Sequence, residues 1–441
     1  MNADAITPRR RLLAGLGALP LAGAIGTAAM PAQAAIRART QARIVIAGGG
    51  AAGLTAASRL AALLDGASIT VIDGRKAHYY QPGFTLIAAG IKPQDYVVSS
   101  TSEYIAKGVE LIAEKVAEID PEGKKVVTDS GRSLPYDFLI VATGLELNYD
   151  AIEGMDTSRI GRDGLGSIYH SPQAASATWQ ALSRFADSGG IGLFGRPPGE
   201  MKCAGAPLKY TFISDDHLRR RGNRGKAELM YMAQSKSLFG VPIVAEKVRM
   251  LFQDRGVKVH QEHVLQSIDL GRRIATYRTP AGTLEQAYDF INVVPPMRAP
   301  EVVRNSPLPW SEGPWAADGW AEVDRHTLRH KRYPEVFAVG DIAGVPKGKT
   351  AASVKWQVPV AVSHLVGDIT GTPSQDSYDG YTSCPLITRL GRAMLIEFDY
   401  QDNLVMSFPG VIAPLEELWV SWVMKTMALK PTYISMLRGR A

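Results

Sequence analysis

The chain has 441 residues, 46% of them hydrophobic and 21% charged, with two cysteines and a formal net charge of +6. The apolar fraction excludes disorder, and two cysteines are too few for a disulfide scaffold, an iron–sulfur cluster or a thiolate zinc site. The charge excess is mild for this size and does not mark a nucleic-acid binder, and no uncharged run beyond the N-terminus is long enough to span a bilayer.

Residues 1–34 read as an export signal. Arg9-Arg10-Arg11-Leu12-Leu13 precedes a weakly apolar, Gly/Ala-rich stretch, and Ala32-Gln33-Ala34 follows as a small-residue cleavage site. The paired arginines match the twin-arginine form. The expectation is a periplasmic protein carried across folded, with its cofactor already bound.

Arg43 to Ala47 is a short buried-strand pattern, Leu54 to Leu64 is helical, and Ser68 to Asp73 is a second strand ending in an acid. Between the first strand and the helix lies Gly48-Gly49-Gly50-Ala51-Ala52-Gly53, a dinucleotide fingerprint. Gly48 allows the tight turn, Gly50 lets the backbone approach a pyrophosphate, and Gly53 lets helix and strand pack closely. Ala52 completes the turn, the helix N-terminus offers N–H groups to phosphate, and Asp73 is placed for a ribose hydroxyl. Further on, His78-Tyr79-Tyr80-Gln81-Pro82 is a polar-aromatic loop, and Tyr136 to Val141 is a strand running into Ala142-Thr143-Gly144.

A second glycine-rich stretch, Gly189 to Gly199, starts as a strand but meets Pro197-Pro198. Pro198 has no N–H for a phosphate, and paired prolines do not belong in a helix interior. The expectation is a Rossmann-like scaffold without an NAD(P)H site, so the electrons come from another donor. Cys203 follows in a Gly/Pro-bearing loop beside Lys202, whose ammonium would favour a thiolate. Arg219, Arg220, Arg221, Arg224 and Lys226 read as a helix end and turn before a strand over Glu228–Met232. His260 and His263 follow a strand and do not read as a metal site. His170 and His217 show no pattern selecting them as acid or base.

Tyr333 to Val339 is another strand, ending in Gly340-Asp341. A helix is expected to start near Thr350, with Lys349 and Lys355 at hand to add charge at its N-terminal end. Cys384 sits in Gly380-Tyr381-Thr382-Ser383-Cys384-Pro385, which reads as a loop. Near the C-terminus Leu415, Leu418, Trp419, Trp422, Val423 and Met427 share one helical face, with Glu417, Ser421 and Lys425 as a polar stripe. Pro431 breaks the run, and the pattern fits an interfacial helix at a membrane surface.

The Ala-Thr-Gly and Gly-Asp strands resemble the marker segments of the glutathione-reductase-like flavoproteins, which implies FAD at the first site and Asp341 at its ribityl chain. Nearly the whole chain resembles the sulfide:quinone oxidoreductases, particularly the two-cysteine, mitochondrial-like group. The matching segments include His78 to Pro82, Lys202 to Pro207, Asn292 to Met297, Lys349 to Ala352 and Tyr378 to Pro385. The resemblance implies an α/β fold with two Rossmann-like domains, the second degenerate. The expected division is an FAD-binding part at 43–150, a second domain at 151–298, the returning FAD-binding part at 299–372, and a C-terminal membrane-surface region at 373–441.

It further implies that Cys203 and Cys384 form a bridged pair beside the flavin. Hydrosulfide attacks one sulfur, Cys384 takes the persulfide, and Cys203 becomes the thiolate facing the flavin. The sulfane sulfur leaves to a small-molecule acceptor, and a membrane quinone such as ubiquinone reoxidises the flavin. The cofactor-binding set is Gly48, Gly50, Ala52, Gly53, Asp73, Gln81, Thr143, Gly144, Gly340, Asp341 and Lys355. Two other readings stay open at this point. One is the flavin subunit of a flavocytochrome c sulfide dehydrogenase, and the other a non-enzymatic flavin or sulfur carrier.

Overall fold

The computed structural model describes residues 37–441. The export-signal expectation for residues 1–34 lies outside the described residues.

The first strand-turn-helix unit is β1 (Arg43–Ala47), the Gly48–Gly50 turn and α1 (Ala51–Leu63). The helix starts three residues before the expected Leu54, because the small residues of the turn already wind. Beside β1 lie β2 (Ser68–Ile72), β3 (Val109–Ile112) and β4 (Phe138–Val141). These strands are near-continuous apolar runs, as a parallel sheet covered on both faces requires. A second parallel sheet is built from β5 (Leu165–Gly166), β6 (Gly190–Gly195), β7 (Ala227–Met232), β8 (Val257–His260) and β9 (Phe290–Asn292), in the order β5-β9-β6-β7-β8. The chain then returns to the first sheet through β10 (Val336–Ala338), completing the order β10-β4-β1-β2-β3. Short antiparallel sheets at 116–135 and 264–287 flank the two layers.

The second sheet positions the site through the loop that follows β6. After β6 the chain does not open a helix at a phosphate-binding turn. It runs through Arg196-Pro197-Pro198 and Cys203 before α2 (Ala206–Arg220) begins. The loop that stands where a nucleotide turn would lie is thus the one that carries the cysteine. The arginines near the end of α2 are ion-paired: Arg219 and Arg224 share the buried carboxylate of Asp215, and Arg220 pairs with Asp216.

Two expectations are corrected near the C-terminus. Cys384 is not in a loop; it lies on β11 (Thr382–Arg389), paired antiparallel with β12 (Arg392–Phe398), with Cys384 opposite Ile396. Gly380 and Pro385 suggested a turn, but β11 pairs with β12 along one edge only, and at its other edge a proline's missing N–H costs no ladder bond. The expected amphipathic helix from Leu415 starts instead at α3 (Trp419–Val423), passes through a wider π turn over Met424–Ala428, and continues as α4 (Leu429–Leu437). Pro431 lies within α4 and does not end it; the π turn just before it eases the contact between its ring and the preceding carbonyls. No helix among the described residues is long and apolar enough to cross a membrane.

Candidate functional site

The two sheets, β11–β12 and the C-terminal helices enclose one cavity of about 660 Å³, within the size range of small-molecule sites. Its lining includes Gly49 to Ala52, Thr143, Gly144, Gly340 and Asp341, together with Cys203 and Cys384.

The glycine turn has little freedom to change. Gly48 has φ +110°, and a Cβ there would sit 2.4 Å from the Ala142 carbonyl oxygen; a Cβ on Gly53 would lie 1.8 Å from the Gly48 oxygen. At Gly50 a Cβ would meet only an Arg75 nitrogen at 3.8 Å, so this backbone is open to a ligand. Asp73 is more engaged than a ribose acceptor needs to be. It accepts from Gly49 N–H at 2.7 Å, from Arg75 N–H at 2.8 Å, and from the Arg75 guanidinium through both oxygens. These four bonds fill the acceptor positions of a carboxylate. Burial opposes ionisation, but Arg75 and the N–H groups prevail and hold the Asp73 carboxyl below its usual range.

Other features fit FAD. The Thr143 hydroxyl is buried without a protein partner, facing the cavity. Asp341 is held above the usual carboxylate range by burial, although Lys202 and Lys349 pull the other way. The expected helix, here α5 (Ala351–Thr370), is capped by Thr350, which accepts from Ser353 N–H, and points its N-terminus at the cavity. Lys355 lines the cavity, with burial lowering its pKa. Lys349 is a brace: its ammonium donates to the Asp341 and Ala343 carbonyls at 2.7 and 2.9 Å and lies over the Trp320 ring at 3.8 Å. Gln81 accepts from the Lys202 ammonium at 2.7 Å, joining the expected cofactor loop to the cysteine loop.

Cys203 sits in the left-handed region at φ +49°. A residue with a Cβ holds that conformation only where its surroundings impose it. Here its N–H donates to the Lys349 carbonyl at 3.0 Å, and its carbonyl accepts from the Tyr169 hydroxyl at 3.0 Å and from Ala206 N–H at 2.8 Å. Cys384 is buried at the other side, close enough that a Cβ on Gly205 would lie 2.4 Å from its sulfur. Both are free thiols, and each perturbs the other's ionisation. The neighbouring Cys384 thiol, against the cost of burial and with help from Lys209 and Lys425, pulls the Cys203 thiol down to about 5. Cys203 and burial push Cys384 well up, so Cys203 is the more readily ionised of the two.

The two lysines were missed by sequence reasoning. Lys209 lies on α2 just after Cys203 and is buried. Its position in the first turns of the helix following the cysteine was the available signal. Lys425 comes from the π turn and was read as part of an outward polar stripe. It is 3% exposed, and its ammonium donates to the Pro82 carbonyl at 2.7 Å. Burial, then the nearby Lys209, brings it down to about 7. Ser421 of that stripe is buried as well, and Glu417 pairs with Arg255 at 2.6 Å. Trp419 and Met427, at 61% and 67% exposed, face outward instead. His260 and His263 have ring centroids 5.4 Å apart, and no group of three metal-ligating side chains occurs among the described residues.

The profile of the pyridine nucleotide-disulphide oxidoreductase family matches residues 42–181. A protein from Mus musculus named sulfide:quinone oxidoreductase, mitochondrial, is 35% identical over 83% of this chain and 80% of its own length. Its namesake from Dictyostelium discoideum is 34% identical over 90% of this chain and 86% of its own. The crystal structure of the sulfide:quinone oxidoreductase from Aquifex aeolicus superposes with a TM-score of 0.74 at 22% identity, covering 90% of this chain and 92% of that one. With a cradle that fits FAD and relatives of this extent, the chain is a flavoprotein enzyme belonging to the sulfide:quinone oxidoreductase family.

Proposed function

We propose that this chain oxidises sulfide to sulfane sulfur at Cys203 and Cys384 and passes the electrons, by way of FAD, to a membrane quinone. The observation that carries this reading is that two cysteines, each perturbing the other's ionisation, and two buried lysines line the same cavity as the glycine turn. The residues that would hold FAD are the Gly48–Gly53 turn, Thr143, Gly144, Gly340 and Asp341, with the N-terminus of α5. Once bound, FAD supplies a two-electron store between a sulfur donor and a quinone.

The rest of the chemistry belongs to the protein. With the cysteines bridged, hydrosulfide attacks at Cys384; an S–S bond forms there and Cys203 leaves as a thiolate. Cys203 suits a leaving group because its thiolate is stable near neutral pH. Lys209 and Lys425 draw the anionic nucleophile in and balance the charge released. The Cys384 persulfide then gives its outer sulfur to a nucleophilic acceptor.

The C-terminal helices face two ways, with Lys425 toward the cysteines and Trp419 and Met427 toward the outside. Met406 and Val411 are also exposed, at 49% and 70%. These side chains support a resting place on a bilayer surface. Export by the twin-arginine signal belongs to the same proposal. The test is anaerobic addition of sulfide to the purified holoprotein, then of a short-chain ubiquinone. Bleaching of the flavin by sulfide and its return with quinone is expected. Return only with a cytochrome c would favour the haem-linked reading, and no bleaching would leave a carrier.

A further inference from the structure

Successive residues of a strand project to opposite faces. On the β11–β12 pair, Cys384 and Ile396 share one face, while Ser383 and Glu397 share the other. Both faces reach the cavity, because its wall includes Cys384 as well as Glu397. The apolar part of the cavity wall includes Trp356, Leu395, Val405, Met406 and Phe408. Glu397 is only 4% exposed there, and a carboxylate so placed needs partners. It has them: Tyr381 donates its hydroxyl to Oε1, the Ser407 hydroxyl donates to the same oxygen, and Ser407 N–H donates to Oε2 at 3.0 Å. Tyr381 and Ser407 also line the cavity, and Met406 is half exposed at its rim.

We propose that Tyr381 and Glu397 relay protons to the quinone. The inference rests on the quinone reading above. Reduction of a quinone to a quinol takes two electrons, which flavin already reduced by sulfide would supply, and two protons. Once Glu397 is protonated it becomes the donor to the Tyr381 oxygen, which turns the Tyr381 hydroxyl from the carboxylate to a quinone oxygen; there its O–H bond breaks and an O–H bond forms on the quinone. Glu397, protonated from water at the Met406 rim, passes its proton to Tyr381 in the same step and is left ionised. Two passes deliver both protons and leave the tyrosine neutral and the carboxylate as it began. Tyr381 touches the quinone, and Glu397 acts through it.

Glu397→Gln and Tyr381→Phe in the holoenzyme test this with three readouts. Bleaching by sulfide should keep its wild-type rate. Quinone turnover should fall about a hundredfold or more in kcat with KM for quinone little changed, as for loss of a positioned proton donor. Turnover with ferricyanide, which accepts electrons without protons, should remain at the wild-type rate. Equal losses with quinone and ferricyanide would show Glu397 to be a structural brace for residues 399–412 and overturn the relay. Unchanged quinone turnover would overturn it too. Wild-type protein that reduces ferricyanide but no quinone would instead overturn the quinone reading, and the relay with it.

Discussion

Lys425→Met removes one buried cation from beside Cys203 while keeping an unbranched stem to fill its place. In the folded protein Lys425 is charged below about pH 7, and Cys203 is a thiolate above about pH 5. An opposite charge at close range shifts a thiol by about one to three units. Lys209 stays behind as a second cation, so a rise of about one to two units is expected, roughly 1.4–2.7 kcal/mol of thiolate stabilisation. At pH 6 the thiolate fraction then falls from about nine-tenths to between a half and a tenth, a loss of roughly two- to tenfold. The assay is the rate of iodoacetamide alkylation of Cys203 in the reduced protein against pH, with peptide mapping to separate it from Cys384. The inflection should move up from about 5. An unmoved inflection would refute the electrostatic role of Lys425. Thermal stability should not fall, because burying the ammonium is itself unfavourable.

His78 and the exposed face of the C-terminal helices give two further expectations. His78 is buried with its Nε2 2.8 Å from the Tyr433 hydroxyl, and burial, aided by Arg75, pushes it down to about 4. The unfolded chain takes up that proton first, near pH 6.5, so stability should fall as the pH drops from about 6.5 to 4, by about 3 kcal/mol. His78→Gln should flatten this slope in chemical unfolding; an unchanged slope would remove His78 as its cause. Replacing Trp419 and Met427 together by Gln should weaken partitioning onto quinone-containing vesicles by roughly a hundredfold, from about 3 kcal/mol of lost apolar burial. Bleaching by sulfide should be unaffected, and undiminished vesicle binding would rule out this face as the attachment surface.

What the sequence disclosed was mostly local. The strand, glycine turn and helix of residues 43–63 are contiguous, so spacing alone revealed them, and Pro197-Pro198 foretold that no helix opens directly after β6. That Cys203 and Cys384 meet was not legible from spacing, since no local rule links a loop after β6 to a strand near the C-terminus. Resemblance supplied that expectation, and the structure sets both residues in the wall of one cavity. Lys425 was misread because helical periodicity assigns polar residues to water. Here the inward side of the helix faces a polar cavity, so the usual sense is inverted. Glu397 had no motif at all; its position depends on strand register, which sequence patterns near Gly380 and Pro385 obscured.

The central claim is that Cys203 and Cys384 together carry the electrons of sulfide. Anaerobic rapid mixing of sulfide with flavin-loaded wild type, Cys203→Ser and Cys384→Ser tests it most directly. The wild-type flavin should bleach within a turnover, and neither variant should bleach at more than a trace of that rate. Sulfide-driven bleaching near the wild-type rate in either serine variant would contradict the paired-cysteine account.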